Sequence, residues 1–184
     1  MCVKEEEVRH SGWSWFALRV TYGRALKFKA TLDEAGFETF VPMCRRTVVK
    51  DGRSRRVLVP AVTNLCFVRS TKKRIDTFMK DCGEGCPARF MWDKATRLPV
   101  IVPDKPMEDF MKISNTMADD VIYLKEISAK LREGQKVRVM QGPFAGVEGT
   151  IIRVRRSRRV MVELPGMLAV ATTYIRPDEL EIIG

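Results

Sequence analysis

Histidine is almost missing from this chain, long apolar runs are missing altogether, and acid is outnumbered by base. The one histidine, His10, lies in a polar N-terminal tail with Lys4, Glu5, Glu6, Glu7 and Arg9. Acid–base catalysis near neutral pH leans most often on histidine. The chain also has no glycine-rich phosphate loop of the P-loop or dinucleotide type, and no nucleophile that its spacing puts beside a base. These absences weigh against an enzyme. No stretch approaches the roughly 18 to 20 apolar residues that a membrane-spanning helix needs. Met1 to Gly12 lacks the apolar centre of a secretory signal. The expectation is a soluble, cytoplasmic protein with no membrane partner.

The 5 cysteines (Cys2, Cys44, Cys66, Cys82, Cys86) form an odd set without a CxxC pair, the usage of a reducing compartment. Cys82 and Cys86 could share a helix face, but a structural zinc normally takes four ligands, and His10 sits in the tail. Reduced thiols, no metal and no cofactor are expected. What the chain does have is positive charge: 33 Lys and Arg against 23 Asp and Glu, a formal +10. An excess of one sign raises the local concentration of the other, so a polyanion, most commonly nucleic acid, is the expected partner. The plainer alternative is a solubilising surface. At 184 residues and 45% hydrophobic, the chain is foldable and long enough for one moderate core or two small ones.

Hydrophobic periodicity orders the first part. Trp13 to Val20 is aromatic and β-branched enough for a buried strand, and Thr21-Tyr22-Gly23 breaks it. Ala25, Phe28, Leu32 and Ala35 recur at helical spacing, with Gly36 as a stop. Phe37 to Pro42 reads as a second strand. Two β-prone runs then flank Asp51-Gly52, a strong hairpin-turn signal. Residues 45 to 56 hold Arg45, Arg46, Lys50, Arg53, Arg55 and Arg56 against one acid, Asp51, so a protruding basic hairpin is expected. Its cations suit phosphate contact, or else form a charged edge that resists aggregation. Leu65 to Val68 is an apolar strand, Thr71 to Lys80 a helix with Ile75, Phe78 and Met79 inward, and residues 88–92 and 99–102 are short strands. Pro103 opens a last helix containing Met107, Phe110, Met111 and Ile113. The order β, α, β, hairpin, β, α, β, β, α predicts an α+β domain, an antiparallel sheet with helices packed on it.

The second part is organised around residues 136 to 151. Val137, Val139 and Ile151 lie on period-two patterns, and Gly142-Pro143 marks a tight turn. The spacing Val139-x-x-Gly142-Pro143-Phe144-x-Gly146-x-x-Gly149-x-Ile151 resembles the KOW motif, the signature of a small SH3-like barrel found in NusG-family transcription factors and some ribosomal proteins. Short strands over 135–140, 147–155, 160–163 and 168–174, then an ending at Ile183, suit an all-β, five-stranded barrel. Arg153, Arg155, Arg156, Arg158 and Arg159 concentrate on one of its hairpins, where they either touch RNA or keep a turn wet. The expected domains are 13–115 and 133–184, joined by a linker over 116–132 in which Val121-Ile122-Tyr123-Leu124 is too apolar to be wholly exposed.

The first part is similar to the N-terminal domain of NusG proteins. Its Trp15-Phe16-Ala17-Leu18 stands where the family has Trp-Tyr-x-Leu, and Pro99-Val100-Ile101-Val102-Pro103 precedes the closing helix. The family's aromatic-Pro-Gly-Tyr entry to the central strand is replaced by Val62-Thr63-Asn64-Leu65, which argues for a divergent paralogue. The resemblance implies a monomeric transcription elongation and antitermination factor, with a concave apolar surface that receives the clamp of RNA polymerase. Carried over residue by residue, that surface is Leu65, Phe67, Phe90 and Ile101, with Lys72 and Lys73 toward the opposite jaw. Arg45, Arg46, Arg53, Arg55 and Arg56 are the nucleic-acid set, facing DNA near the transcription bubble, with nascent RNA a further candidate. The KOW domain is expected to recruit a ribosomal protein or a termination factor. The Arg-rich hairpins and Leu65-Cys66-Phe67-Val68-Arg69 look most like the UpxY group of operon-specific antiterminators of capsular polysaccharide loci, with a housekeeping NusG as the nearest alternative. A KOW-type RNA-binding protein of the ribosome or of translational control is the reading from another class.

Overall fold

The computed structural model describes residues 12–116, 119–124, 134–154, 156–164 and 167–184. In chain order the first elements are β1 (Ser14–Val20), α1 (Ala25–Glu34), β2 (Glu38–Phe40), β3 (Met43–Lys50), β4 (Arg53–Pro60), β5 (Leu65–Ser70), α2 (Lys72–Asp81), β6 (Ala88–Phe90), β7 (Ile101–Val102) and α3 (Asp104–Asn115). The order expected from periodicity is the one observed. There follow β8 (Ile122–Leu124), β9 (Lys136–Val139), β10 (Glu148–Val154), β11 (Ser157–Leu164), β12 (Leu168–Ala171), a 3-10 turn (Pro177–Glu179) and β13 (Leu180–Ile182). The fold is α+β, ending in an all-β region.

The chain clusters into two compact units, Met1–Val41 with Thr63–Pro103, and Pro42–Val62 with Asp104–Gly184. In the first, the antiparallel sheet runs β2-β5-β1-β6, and β7 pairs with the other end of β1. β1 is central because its side chains have somewhere to go on both faces: Trp15, Phe16, Ala17, Leu18 and Val20 are all buried. α1 buries Ala25, Phe28 and Leu32, and the Phe78 ring of α2 stands edge-on to Phe28 at 6.1 Å and to Phe37 at 5.2 Å. Full burial of a Phe or Leu side chain such as Phe28 or Leu32 contributes roughly 1.5–3 kcal/mol. α2 starts at Thr71, whose hydroxyl accepts from the Arg74 amide at 3.2 Å, an N-cap contact. Arg74 then caps the end of α1, donating to the Ala35 and Gly36 carbonyls at 3.1 Å each, with its guanidinium 4.2 Å from the Phe37 ring centre.

In the second unit, β3 and β4 form a two-stranded ribbon by themselves, and the barrel sheet runs β13-β9-β10-β11-β12-β8. Five of these strands are the expected ones. The sixth, β8, comes from the stretch read as linker: Ile122, Tyr123 and Leu124 pair with Ala171, Val170 and Ala169. An apolar strand laid on an open edge removes both its side chains and its backbone groups from water. Helix α3 lies against β11, β12 and β3, with Met107, Phe110 and Ile113 buried. Its Asp109 is 4% exposed and takes Lys105 Nζ at 2.7 Å and the Glu148 amide at 3.1 Å. Lys105 reaches on to the Gly146 carbonyl at 2.8 Å, and Lys112 donates to the carbonyl of Ala145.

Candidate docking and nucleic-acid interface

Residues opposite one another on an antiparallel ladder share a face, and neighbours along a strand do not. Phe16 pairs with Val68 and Ile101, and Leu18 with Cys66 and Phe90. Ala17 pairs with Phe67, and Arg19 with Leu65. The register thus places Phe90 and Ile101 on one face of the sheet, and Leu65 and Phe67 on the opposite face. The four residues inferred from resemblance do not form one patch. Leu65, Phe67 and Phe90 are buried, at 3%, 0% and 7%, whereas Ile101 is 51% exposed.

What surrounds Ile101 is an apolar strip. β6 and β7 leave β1 to make a short hairpin excursion in which Trp92 bridges Pro99. Alternation puts Trp92 and Pro99 on the face of Phe90 and Ile101, and Trp92 is 57% exposed. The Phe90 ring beneath is fixed edge-on to Phe16 at 5.6 Å. Lys72 Nζ lies 5.4 Å from that ring centre, a cation–π distance, and is paired with Asp76 at 2.5 Å. Lys73 is exposed at the start of α2, on the wall of a separate open hollow with Phe37, Arg74 and Phe78. The tip of the excursion is tied by Asp93, whose carboxylate accepts the amides of Ala95 at 2.9 Å and Thr96 at 2.7 Å. The Thr96 amide and hydroxyl hold that carboxyl below the usual carboxylate range. Trp92 was legible only as a strand residue; the alternation with Phe90 was the signal that the two share a face.

The hairpin is present as β3–β4, in register from Met43↔Pro60 to Lys50↔Arg53. Asp51 and Gly52 have φ of 53° and 70°, the pair of left-handed residues that a type I′ turn requires. Arg45, Arg46, Arg53, Arg55 and Arg56 are all exposed. Two of them have a counter-charge from the stretch read as linker: Arg56 Nη1 donates to Asp119 at 2.7 Å, and Arg45 Nη1 lies 3.9 Å from the other oxygen of that carboxylate. Among the described residues, Arg46, Arg53 and Arg55 have no ion pair.

The KOW stretch forms the β9–β10 turn. Val139, Phe144 and Val147 are buried, Gly142 and Gly146 have φ of 77° and 86°, and the Gly146 amide donates to the Val139 carbonyl at 2.7 Å. Pro143 is exposed and Ile151 half-buried. A Cβ on Gly149 would stand 2.3 Å from the Met161 carbonyl oxygen. The arginine-rich β10–β11 hairpin is mixed in role. Arg153 faces Arg158 across the ladder, Arg156 is exposed, and Arg155 lies outside the described residues. Arg159 is buried, and donates to the carbonyls of Thr172 at 2.6 Å and Asp120 at 2.5 Å.

Cys44, Cys66, Cys82 and Cys86 are free thiols, and burial pushes the Cys66 thiol up to about 12. Cys2 and His10 lie outside the described residues. Among the described residues, no group of three or more His, Cys, Asp or Glu is placed to hold a metal ion, and no helix is long and apolar enough to cross a membrane.

Comparison with known proteins gives two family matches. Residues 13–111 match the family described as transcription termination factor nusG, and residues 133–163 match the KOW motif. No curated protein sequence matches. A solved structure described as domain interaction in Thermotoga maritima NusG is similar at 16% identity and a TM-score of 0.46, covering 95% of this chain and 99% of that one.

Proposed function

The chain belongs to the NusG family of transcription factors, and from that premise we propose that it is an elongation and antitermination factor which holds RNA polymerase through its N-terminal part and suppresses pausing or termination. The observation that carries this reading is the exposed strip of Trp92 and Ile101 over Phe90, with Lys72 at its rim. An aromatic and an aliphatic anchor on a short hairpin, with Lys72 close by, have the chemistry of an interface centre with a steering rim. The clamp of the polymerase is the proposed occupant. Leu65 and Phe67, on the other face, act in this reading by packing the sheet, and Lys73 is the candidate for the opposite jaw.

The mechanism is binding rather than bond chemistry. A factor with more affinity for the closed clamp than for the open one shifts the population toward the closed, processive state. The β3–β4 ribbon contacts DNA near the transcription bubble, and held upstream DNA opposes backtracking. The KOW barrel recruits a ribosomal protein or termination factor. The divergent entry Val62-Thr63-Asn64-Leu65 and the Arg-rich hairpins support a specialised, operon-specific member, of the kind that serves capsular polysaccharide loci. The domains proposed are 13–115 and 133–184, with 116–132 between them.

The test uses the full chain on a support and purified core RNA polymerase. Replacing Trp92 and Ile101 together by Ser lowers the affinity for polymerase roughly thirtyfold or more, as loss of one hot spot of about 2 kcal/mol or more does. Retention equal to that of the parent would remove the strip from the proposal.

A further inference from the structure

Cys82 and Cys86 do not share a helix face, because α2 ends at Asp81 and the chain then turns back toward the sheet. Gly83 has φ of 73°. Its amide donates to the Lys80 carbonyl at 2.9 Å, and the Cys86 amide closes the turn on the Gly83 carbonyl at 3.1 Å. Cys82 stays with the helix, its amide donating to the Phe78 carbonyl at 3.1 Å. Cys86 is fixed on the sheet side. Its carbonyl accepts from Arg89 Nη1 at 2.9 Å, its thiol donates to the Ala88 carbonyl at 3.9 Å, and the Pro87 carbonyl next to it accepts the Thr21 amide at 2.9 Å. The turn brings the two thiols within hydrogen-bonding reach of one another. Cys82 is exposed, whereas Cys86 is 7% exposed.

We propose that Cys82 and Cys86 are a dithiol site that reacts with a low-molecular-weight disulfide of the glutathione class and closes to an intramolecular disulfide, Cys82 attacking and Cys86 resolving. The Cys82 thiol gives up its proton and its sulfur attacks one sulfur of the small disulfide. That S–S bond breaks, one small thiolate leaves, and a mixed disulfide stays on Cys82. Cys86, deprotonated in turn, attacks the Cys82 sulfur, the mixed S–S bond breaks and the second small thiolate leaves. The protein thiols lose two electrons, the small disulfide gains them, and the two protons end on the two thiolates released. Three observations support this order. Cys82 is the one exposed thiol among the described residues, while Cys44 is half-buried and Cys66 is in the core, and exchange begins where a disulfide has access. A Cβ placed on Gly83 or Gly85 would meet nothing within 4 Å, so the turn has room to adjust to the narrow geometry of an S–S bond. Burial, then the neighbouring Cys86 and Asp81, push the Cys82 thiol up. That slows attack near neutral pH, but it also leaves the reduced pair without a stabilised thiolate, so the disulfide persists once formed. The bond fastens the end of α2 to the start of β6. Thiols that pair only on oxidation suit a chain with the cysteine usage of a reducing compartment.

The deciding experiment holds the reduced full chain with an excess of oxidised glutathione, quenches it by alkylation, and reads the tryptic segment 81–89 by mass spectrometry, since cleavage after Lys80 and Arg89 leaves both cysteines in it. The expected product is lighter by two hydrogen atoms than the dithiol form and has lost both alkylation sites, whereas Cys44 and Cys66 are still labelled on unfolding. Cys86→Ser, shown by circular dichroism to fold as the parent does, is expected to hold glutathione on Cys82 as a mixed disulfide that the parent does not accumulate. Two labels retained in the parent overturn the site. A lasting mixed disulfide in the parent overturns the resolving role of Cys86, and a bond between two chains overturns the intramolecular pairing. Glutathione captured by Cys86 in Cys82→Ser as fast as the parent reacts overturns the order of attack. Retention of RNA polymerase does not enter, so this proposal and the proposed function stand or fall separately.

Discussion

Gly149 shows how little room the barrel leaves for a side chain. A methyl there would meet the Met161 carbonyl oxygen at 2.3 Å and Val160 Cγ1 at 2.9 Å, because β10 and β11 approach with backbone against backbone. Neither neighbour is the free end of a flexible chain, so the strands must part. The expected outcome for Gly149→Ala is a loss of roughly 1–3 kcal/mol, the usual cost of overpacking, seen as a lower denaturant midpoint of the full chain. A midpoint equal to the parent's would mean that the ladder yields there easily. The third glycine of the KOW spacing was legible in the sequence. What was not legible is the carbonyl that forbids the Cβ, since it belongs to a strand laid down afterwards. Arg159 teaches the same at another residue. Sequence reading groups it with the exposed arginines of its hairpin, yet its side chain turns inward to the carbonyls of Thr172 and Asp120.

Among elements, the hairpin excursion between β6 and β7 owes its shape to one carboxylate. Asp93 is fully exposed, yet it accepts two backbone amides and the Thr96 hydroxyl, and the Thr96 groups lower its pKa from the ordinary 3.8. The sign follows from linkage: a depressed folded pKa means that the tip is fully stabilised above about the ordinary aspartate value, and loses that contribution as pH falls through the depressed one. Followed by amide chemical shifts, the signals of Ala95 and Thr96 are expected to titrate with a midpoint below 3.8, and Asp93→Asn removes the transition. A midpoint at or above the ordinary value would show that the carboxylate is not held. The turn at Asp93 was not read from the sequence, whereas that at Asp51-Gly52 was. The difference is chemical: Asp-Gly in a two-residue loop has one favoured backbone geometry, and a lone Asp before Lys94 and Ala95 has several.

Across the whole chain, Tyr123 joins stretches that lie far apart in sequence. Its hydroxyl donates to the Met43 carbonyl at the root of the ribbon, its ring stands edge-on to Phe110 of α3 at 6.2 Å, and its backbone pairs with Val170 in the barrel sheet. All three belong to the same compact unit. Tyr123→Phe is expected to cost about 1 kcal/mol, the net worth of one hydrogen bond. Tyr123→Ala is expected to cost roughly 2–4 kcal/mol, less than a fully buried ring would, and to speed hydrogen exchange at the root of β3 more than in β9. Equal exchange at both places in the Ala variant would show that the residue packs the barrel without anchoring the ribbon.

By itself the sequence determined the order of strands and helices, the site of the ribbon turn, the KOW spacing and the excess of positive charge. Each of these is local: a period, a turn dipeptide or a count depends on residues close along the chain. Only the tertiary structure decided which face of the sheet each strand residue joins, so that Leu65 and Phe67 part from Phe90 and Ile101. Only it decided that Trp92 and Ile101 are both exposed, that 122–124 closes onto β12, and that Asp119 claims two of the ribbon's arginines and leaves three. These depend on register between strands distant in sequence, and on which segment returns to lie against which. A one-residue slip in such a register exchanges every inward side chain for an outward one, and nothing local prevents it.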